Sequence, residues 1–131
     1  MFHEDWFLRQ IEMYIHAIAQ IVFGKKSPRF EQGERVSLSP DDLHYLLLPL
    51  LEEGRYCEAE DLLFEAAGDG SDLSVLETGL DFYSRLNTLT DSQLEAGSFS
   101  REEIREGLDD LLRIHRFDPA LFSDTKSDPK E

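Results

Sequence analysis

Residues 2–23 (FHEDWFLRQIEMYIHAIAQIVF) hold the pattern that most narrows the fold, a long apolar segment crossed by one polar stripe. Asp5, Arg9, Glu12, His16 and Gln20 recur at steps of four, three, four and four. Residues at that spacing lie one above another on a single face of an α-helix. Asp5 with Arg9, and Arg9 with Glu12, stand at helical salt-pair spacing. Fourteen of the 22 residues are hydrophobic, so a membrane span has to be weighed. A span needs about 20 residues almost free of charge, and this stripe is charged. A helix lying on a lipid surface would carry Lys and Arg along its polar face, which this one does not. Glu4 and Asp5 are the wrong sign for a secretory leader, and no small-residue cleavage site follows.

The rest of the segment is apolar all round, which predicts a core helix covered on two sides. The functional alternative is that part of it meets another subunit. That gives a candidate interaction surface of Trp6, Phe7, Ile11, Tyr14, Ile18 and Val22. Gly24 ends the helix, with Lys25 and Lys26 at the negative end of its dipole.

Residues 25–38 carry Pro28 and Gly33 without a sustained period and predict a connection. Ser39-Pro40-Asp41-Asp42 is a helix start: a capping hydroxyl, a proline suited to the first helical position and two acids at the positive end of the dipole. Leu43, Leu46, Leu47, Leu50 and Leu51 follow as one face, with Pro49 expected to kink the helix. Gly54 closes it, and a second helix begins near Arg55 or Tyr56 with a stripe of Ala59, Leu62, Leu63 and Ala66. The two predict an antiparallel hairpin.

Gly68-Asp69-Gly70-Ser71 is a turn. Its acids do not fit a calcium loop, because glycine falls at the wrong position and no closing glutamate follows in frame. A cap at Ser71 or Asp72 opens a helix carrying Leu73, Leu76, Leu80, Tyr83 and Leu86. Gly79 interrupts it at a cost of about 1 kcal/mol relative to alanine, which predicts close packing at that point. Thr90 and Gln93 have capping-box spacing, and Gly97 stops the short helix they open. Ser100 and Glu103 repeat the spacing, with Phe99 and Ile104 placed as a hydrophobic staple. Ile104, Leu108, Leu111, Leu112 and His115 continue that helix to Phe117-Asp118-Pro119. The expected fold class is therefore all-α: a bundle or array of five to six helices in one domain over 1–122, followed by a flexible polar tail over 123–131.

The segment LEEGRYCEAEDLLFEA resembles half of a tetratricopeptide repeat, with Gly54, Ala59, Leu63 and Ala66 at the matching intervals. No second copy follows at that period. More broadly, the chain resembles a bacterial family of small acidic all-helical, tetratricopeptide-like proteins of unknown function. The resemblance is carried by IVFGK, LLEEGRYCEAEDLLFE, LDFYSRLNTLTDSQLE and FSREEIREGLDDL, in order across most of residues 2–112. It implies a cytoplasmic helical protein and no assigned activity.

Chemistry-bearing motifs are scarce. His3, His16, His44 and His115 include no i, i+4 pair and no HExxH, so no metal or cofactor is expected. His115 reads as a helix-end or core histidine, and His44 as a partner of Asp41 and Asp42. The lone Cys57 forms no internal disulfide and reads as a small hydrophobe on a packed hairpin. Adjacent acids such as Glu52-Glu53 and Asp109-Asp110 point about 100° apart on a helix and do not share a proton. Thirteen Lys and Arg against 28 Asp and Glu give −15, which argues against a nucleic-acid or anionic-membrane partner. Residues 57–97 hold ten acids against Arg85 alone, an acidic region read chiefly as a solvated face. The reading is a non-enzymatic protein–protein interaction module, self-associating as a homodimer through its first helix. The alternative is a small enzyme or thiol sensor using Cys57.

Overall fold

The computed structural model describes residues 2–24 and 43–122, with side chains from Trp6 onward in the first helix. The expected connection over 25–38, the Ser39–Asp42 helix start and the polar tail over 123–131 lie outside the described residues. What is described is all-α: α1 (Phe2–Ile18), α2 (Leu43–Glu52), α3 (Tyr56–Ala67), α4 (Leu73–Asn87), α5 (Asp91–Ala96) and α6 (Arg101–Ile114). A π-helical turn over Ala19–Phe23 extends α1, and a 3₁₀ turn over Pro119–Leu121 follows α6.

The helix ends are built as the local sequence dictates. The Thr90 hydroxyl accepts from the Gln93 N–H while the Gln93 side chain accepts from the Thr90 N–H, a complete capping box. Ser100 accepts from the Glu103 N–H, and Phe99 and Ile104 are both buried beneath that cap. Asp72 accepts from Ser74. At Gly54 (φ 77°) the Arg55 N–H reaches back to the Leu50 carbonyl at 2.9 Å, the bond that closes a Schellman turn and folds α3 back on α2. Helix α2 continues through Pro49 to Glu52. Pro49 and Tyr45 both face outward, so water can satisfy the carbonyl that a proline at this position leaves free.

The central helix is α4, not the apolar α1 as its composition suggests. Every residue from Thr78 to Tyr83 is buried, because α1, α2, α3 and α6 all pack around this one rod. Gly79 makes the approach possible. A methyl group there would lie 2.2 Å from a Leu111 methyl and 3.4 Å from one of Leu63, both fully buried. Polar residues lower the apolar look of α4 in sequence, and two of the buried ones tie it to its neighbours. Asp81 accepts from Arg85 at 2.7 Å and stands 3.5 Å from His44 Nδ1. Asn87 donates to the Leu8 carbonyl at 3.0 Å, tying α4 to α1.

Gly97 caps α5 directly after Ala96, as expected, with an ordinary φ of −100°, and Ser98 takes the left-handed conformation (φ 61°). Glycine is required at 97 because a side chain would lie 2.4 Å from the Tyr56 ring and 2.6 Å from the Gly54 carbonyl oxygen. On α3 the expected stripe is buried at Ala59 and Leu63, whereas Leu62 and Ala66 face solvent and Ala67 is buried instead. His44 is buried with its Nδ1 3.5 Å from Asp81, while its expected partners Asp41 and Asp42 lie outside the described residues.

Candidate functional site

Helix α1 divides the expected interaction surface in two. Ile11, Tyr14 and Ile18 are buried within the molecule's own core and cannot meet a partner. Phe7 and Val22 are half-buried against that core, and Trp6 is exposed. The apolar surface left uncovered is a different row, with Trp6 at 62%, Met13 at 55% and Ile21 at 64% exposure. The polar stripe expected from the sequence flanks this row: Arg9, Glu12, His16 and Gln20 are all exposed. The other side of α1 is pinned inward. The Tyr14 hydroxyl donates to Asp109 on α6, and the Arg105 guanidinium lies 4.1 Å from the centre of the Tyr14 ring. Burial, reinforced by Asp109, pushes the Tyr14 phenol well above its ordinary range, so it stays protonated as a donor.

A groove of about 390 Å³ opens beside the start of that row, between α1, α5 and the first turn of α6. Phe7, Leu94 and Phe99 supply its apolar surface, and Asp91, Glu95 and Glu102 its acids. One wall is Arg101. Its position is anomalous, because a cation in the first turn of α6 faces the positive end of its own helix dipole. The side chain reaches across to the negative end of α4 instead. Nη1 donates to the Asn87 carbonyl at 2.9 Å, and Nη2 to the Leu89 carbonyl at 2.9 Å and to Asp91 at 2.6 Å. This buried guanidinium joins the end of α4 to the starts of α5 and α6. The cap at Ser100 was readable from sequence; the inward arginine behind it was not, and its only signal was a base where an acid is favoured.

The remaining chemistry-bearing residues do not converge. Among the described residues, no group of three His, Cys, Asp or Glu side chains is placed to hold a metal ion. Cys57 is exposed on α3, with its sulfur 3.6 Å from the Ser98 carbonyl oxygen. Partial desolvation, then the carboxylates of Glu103, Glu60 and Asp61, hold its thiol above the usual range. A nucleophilic thiol needs the opposite environment. His115 caps the end of α6, where its Nδ1 lies 3.0 Å from the Gly70 carbonyl oxygen. Burial pushes its pKa down and favours the neutral ring. The paired acids go separate ways, with Asp109 on Tyr14 and Arg105, and Asp110 on Arg113 at 3.3 Å.

The fold and these sites describe an all-helical array with an open apolar row on α1, an acidic-rimmed groove beside it and no assembled reaction centre among the described residues. The chain belongs to a family of unknown function, DUF6483, which it matches over residues 1–116. No curated protein and no solved structure matches it significantly. No helix among the described residues is long and apolar enough to cross a membrane.

Proposed function

We propose that the protein is a non-enzymatic helical interaction module of the bacterial cytoplasm, tetratricopeptide-like in its α2–α3 hairpin, that pairs with a second copy through α1. The observation that carries the reading is the row Trp6, Met13 and Ile21, three large apolar side chains left open on one helix face. Isolated exposed hydrophobes are ordinary, but three on one helix face at intervals of about two turns, flanked by Arg9, Glu12, His16 and Gln20, favour a contact surface.

Charge favours a second copy. Over residues 6–24 Arg9 balances Glu12, whereas the whole chain carries −15. Two copies meeting through this neutral face bring fewer like charges together than other approaches, while the −15 on each copy still opposes pairing at low salt. The gain is modest. Six partly exposed side chains contribute on the order of 6–12 kcal/mol, against an association cost of about 4–15 kcal/mol. The pairing is therefore weak and reversible.

Sedimentation equilibrium over a wide protein concentration range tests it. The mass rises toward twice the chain mass, and the emission of Trp6, the one tryptophan, shifts to the blue as it leaves water. The Trp6→Gln/Met13→Gln variant stays a monomer with an unchanged far-UV spectrum. A wild-type chain that remains strictly monomeric at high micromolar concentration overturns the pairing.

A further inference from the structure

We infer that the groove between α1, α5 and the first turn of α6 receives a segment of a partner protein in which a large apolar side chain is flanked by lysine or arginine. This site is separate from the α1 ridge and stands whether or not two copies pair. Its volume, about 390 Å³, lies within the roughly 300–1,000 Å³ of sites that hold compact ligands. Phe7, Leu94 and Phe99 line it from α1, α5 and the α5–α6 connection, so its shape is fixed by tertiary packing.

The polar groups decide the occupant. Both Nη groups of Arg101 are held by the Asn87 and Leu89 carbonyls and Asp91, its Nε–H is buried out of reach, and the Ser100 oxygen accepts from the Glu103 N–H. The Ser100 O–H is then the one donor these two side chains offer the groove, too little to specify a small polar molecule. Two carboxylates remain, Glu95 and Glu102, both exposed on the rim and without an ion pair among the described residues. An apolar floor with unpaired acids at its edge complements an apolar side chain carried between cationic neighbours. The chain's −15 draws such a segment in from a distance and repels acidic competitors.

The test uses the full chain carrying Trp6→Gln/Met13→Gln, the variant expected to stay monomeric. The probe is a short fluorescein-labelled peptide with a central Phe-Leu pair flanked by lysines. One control replaces Phe-Leu by Ser-Ser at unchanged charge, and a second replaces the lysines by glutamates. Anisotropy gives affinities, and amide shifts locate the contact. The expected result is saturable binding with shifts at Leu94, Phe99 and Ser100. Each control, and the exposed-residue variant Glu95→Lys/Glu102→Lys, binds at least about tenfold more weakly. Equal binding of the Ser-Ser peptide reduces the effect to bulk charge and overturns the inference. So do shifts confined to residues 57–90, away from the groove, undiminished binding by the charge-reversed variant, or no binding at all.

Discussion

Replacing Arg101 by methionine isolates the clamp at the helix junction. The substitution keeps most of the buried aliphatic stem and removes every donor. The carbonyls of Asn87 and Leu89 then lose their charge-assisted bonds, each 2.9 Å long. Such bonds contribute about 1.5 kcal/mol apiece or more. The Asp91 pair adds little, since that carboxylate is 40% exposed and exposed pairs contribute about 0.2–1 kcal/mol. Relief of the unfavourable cation at the α6 N-terminus returns a few tenths of a kcal/mol. The net expected loss is about 3 kcal/mol, a large share of the 5–15 kcal/mol typical of a domain. Urea unfolding followed by far-UV circular dichroism measures it, and the midpoint falls by about 1–3 M at unchanged slope. Arg101→Lys recovers at most half, because one ammonium cannot span the sites that the guanidinium bridges. A loss below about 1 kcal/mol for methionine, or full recovery by lysine, refutes the assignment of Arg101 as the junction's bridge.

Gly70→Ala places a methyl 2.0 Å from the Ile114 carbonyl oxygen at a positive φ of 82°, so thermal unfolding should show a loss of at least about 2 kcal/mol. His115 titrates lower in the folded protein than unfolded, because burial favours its neutral form. The unfolded chain therefore takes up the proton first. The stability His115 contributes is full above its unfolded pKa of about 6.5 and is lost as pH falls below it. Stability curves for wild type and His115→Gln should diverge above pH 7 and converge toward pH 5. Native Cys57 should react with a disulfide reagent at neutral pH more slowly than the unfolded chain, because its thiol is held protonated. Faster native reaction would revive the thiol-enzyme reading.

How far the candidate sites could be read from sequence differs between the two. On α1 the exposed polar stripe Arg9, Glu12, His16 and Gln20 was legible, since helical period alone places it. The open row beside it was not: apart from that stripe the segment is apolar on every side, and which apolar side is covered depends on the helices packed against it. In the groove, the staple residue Phe99 was legible as the mate of Ile104. Its meeting with Phe7 and Leu94 was not, since no local pattern joins segments so far apart in the chain.

The sequence by itself determined the all-helical class and the ends of most helices: the caps at Thr90 and Ser100, the turn at Gly54 and the close approach at Gly79. Those features settle backbone hydrogen bonds or steric room within a few residues, so neighbouring side chains suffice to specify them. Tertiary structure alone decided that α4 is the hub, that Arg101 points inward and that α1 keeps a bare ridge. Several helices offer apolar faces of similar quality, and which face is buried depends on the burial reached by the whole assembly, a sum that no single segment contains.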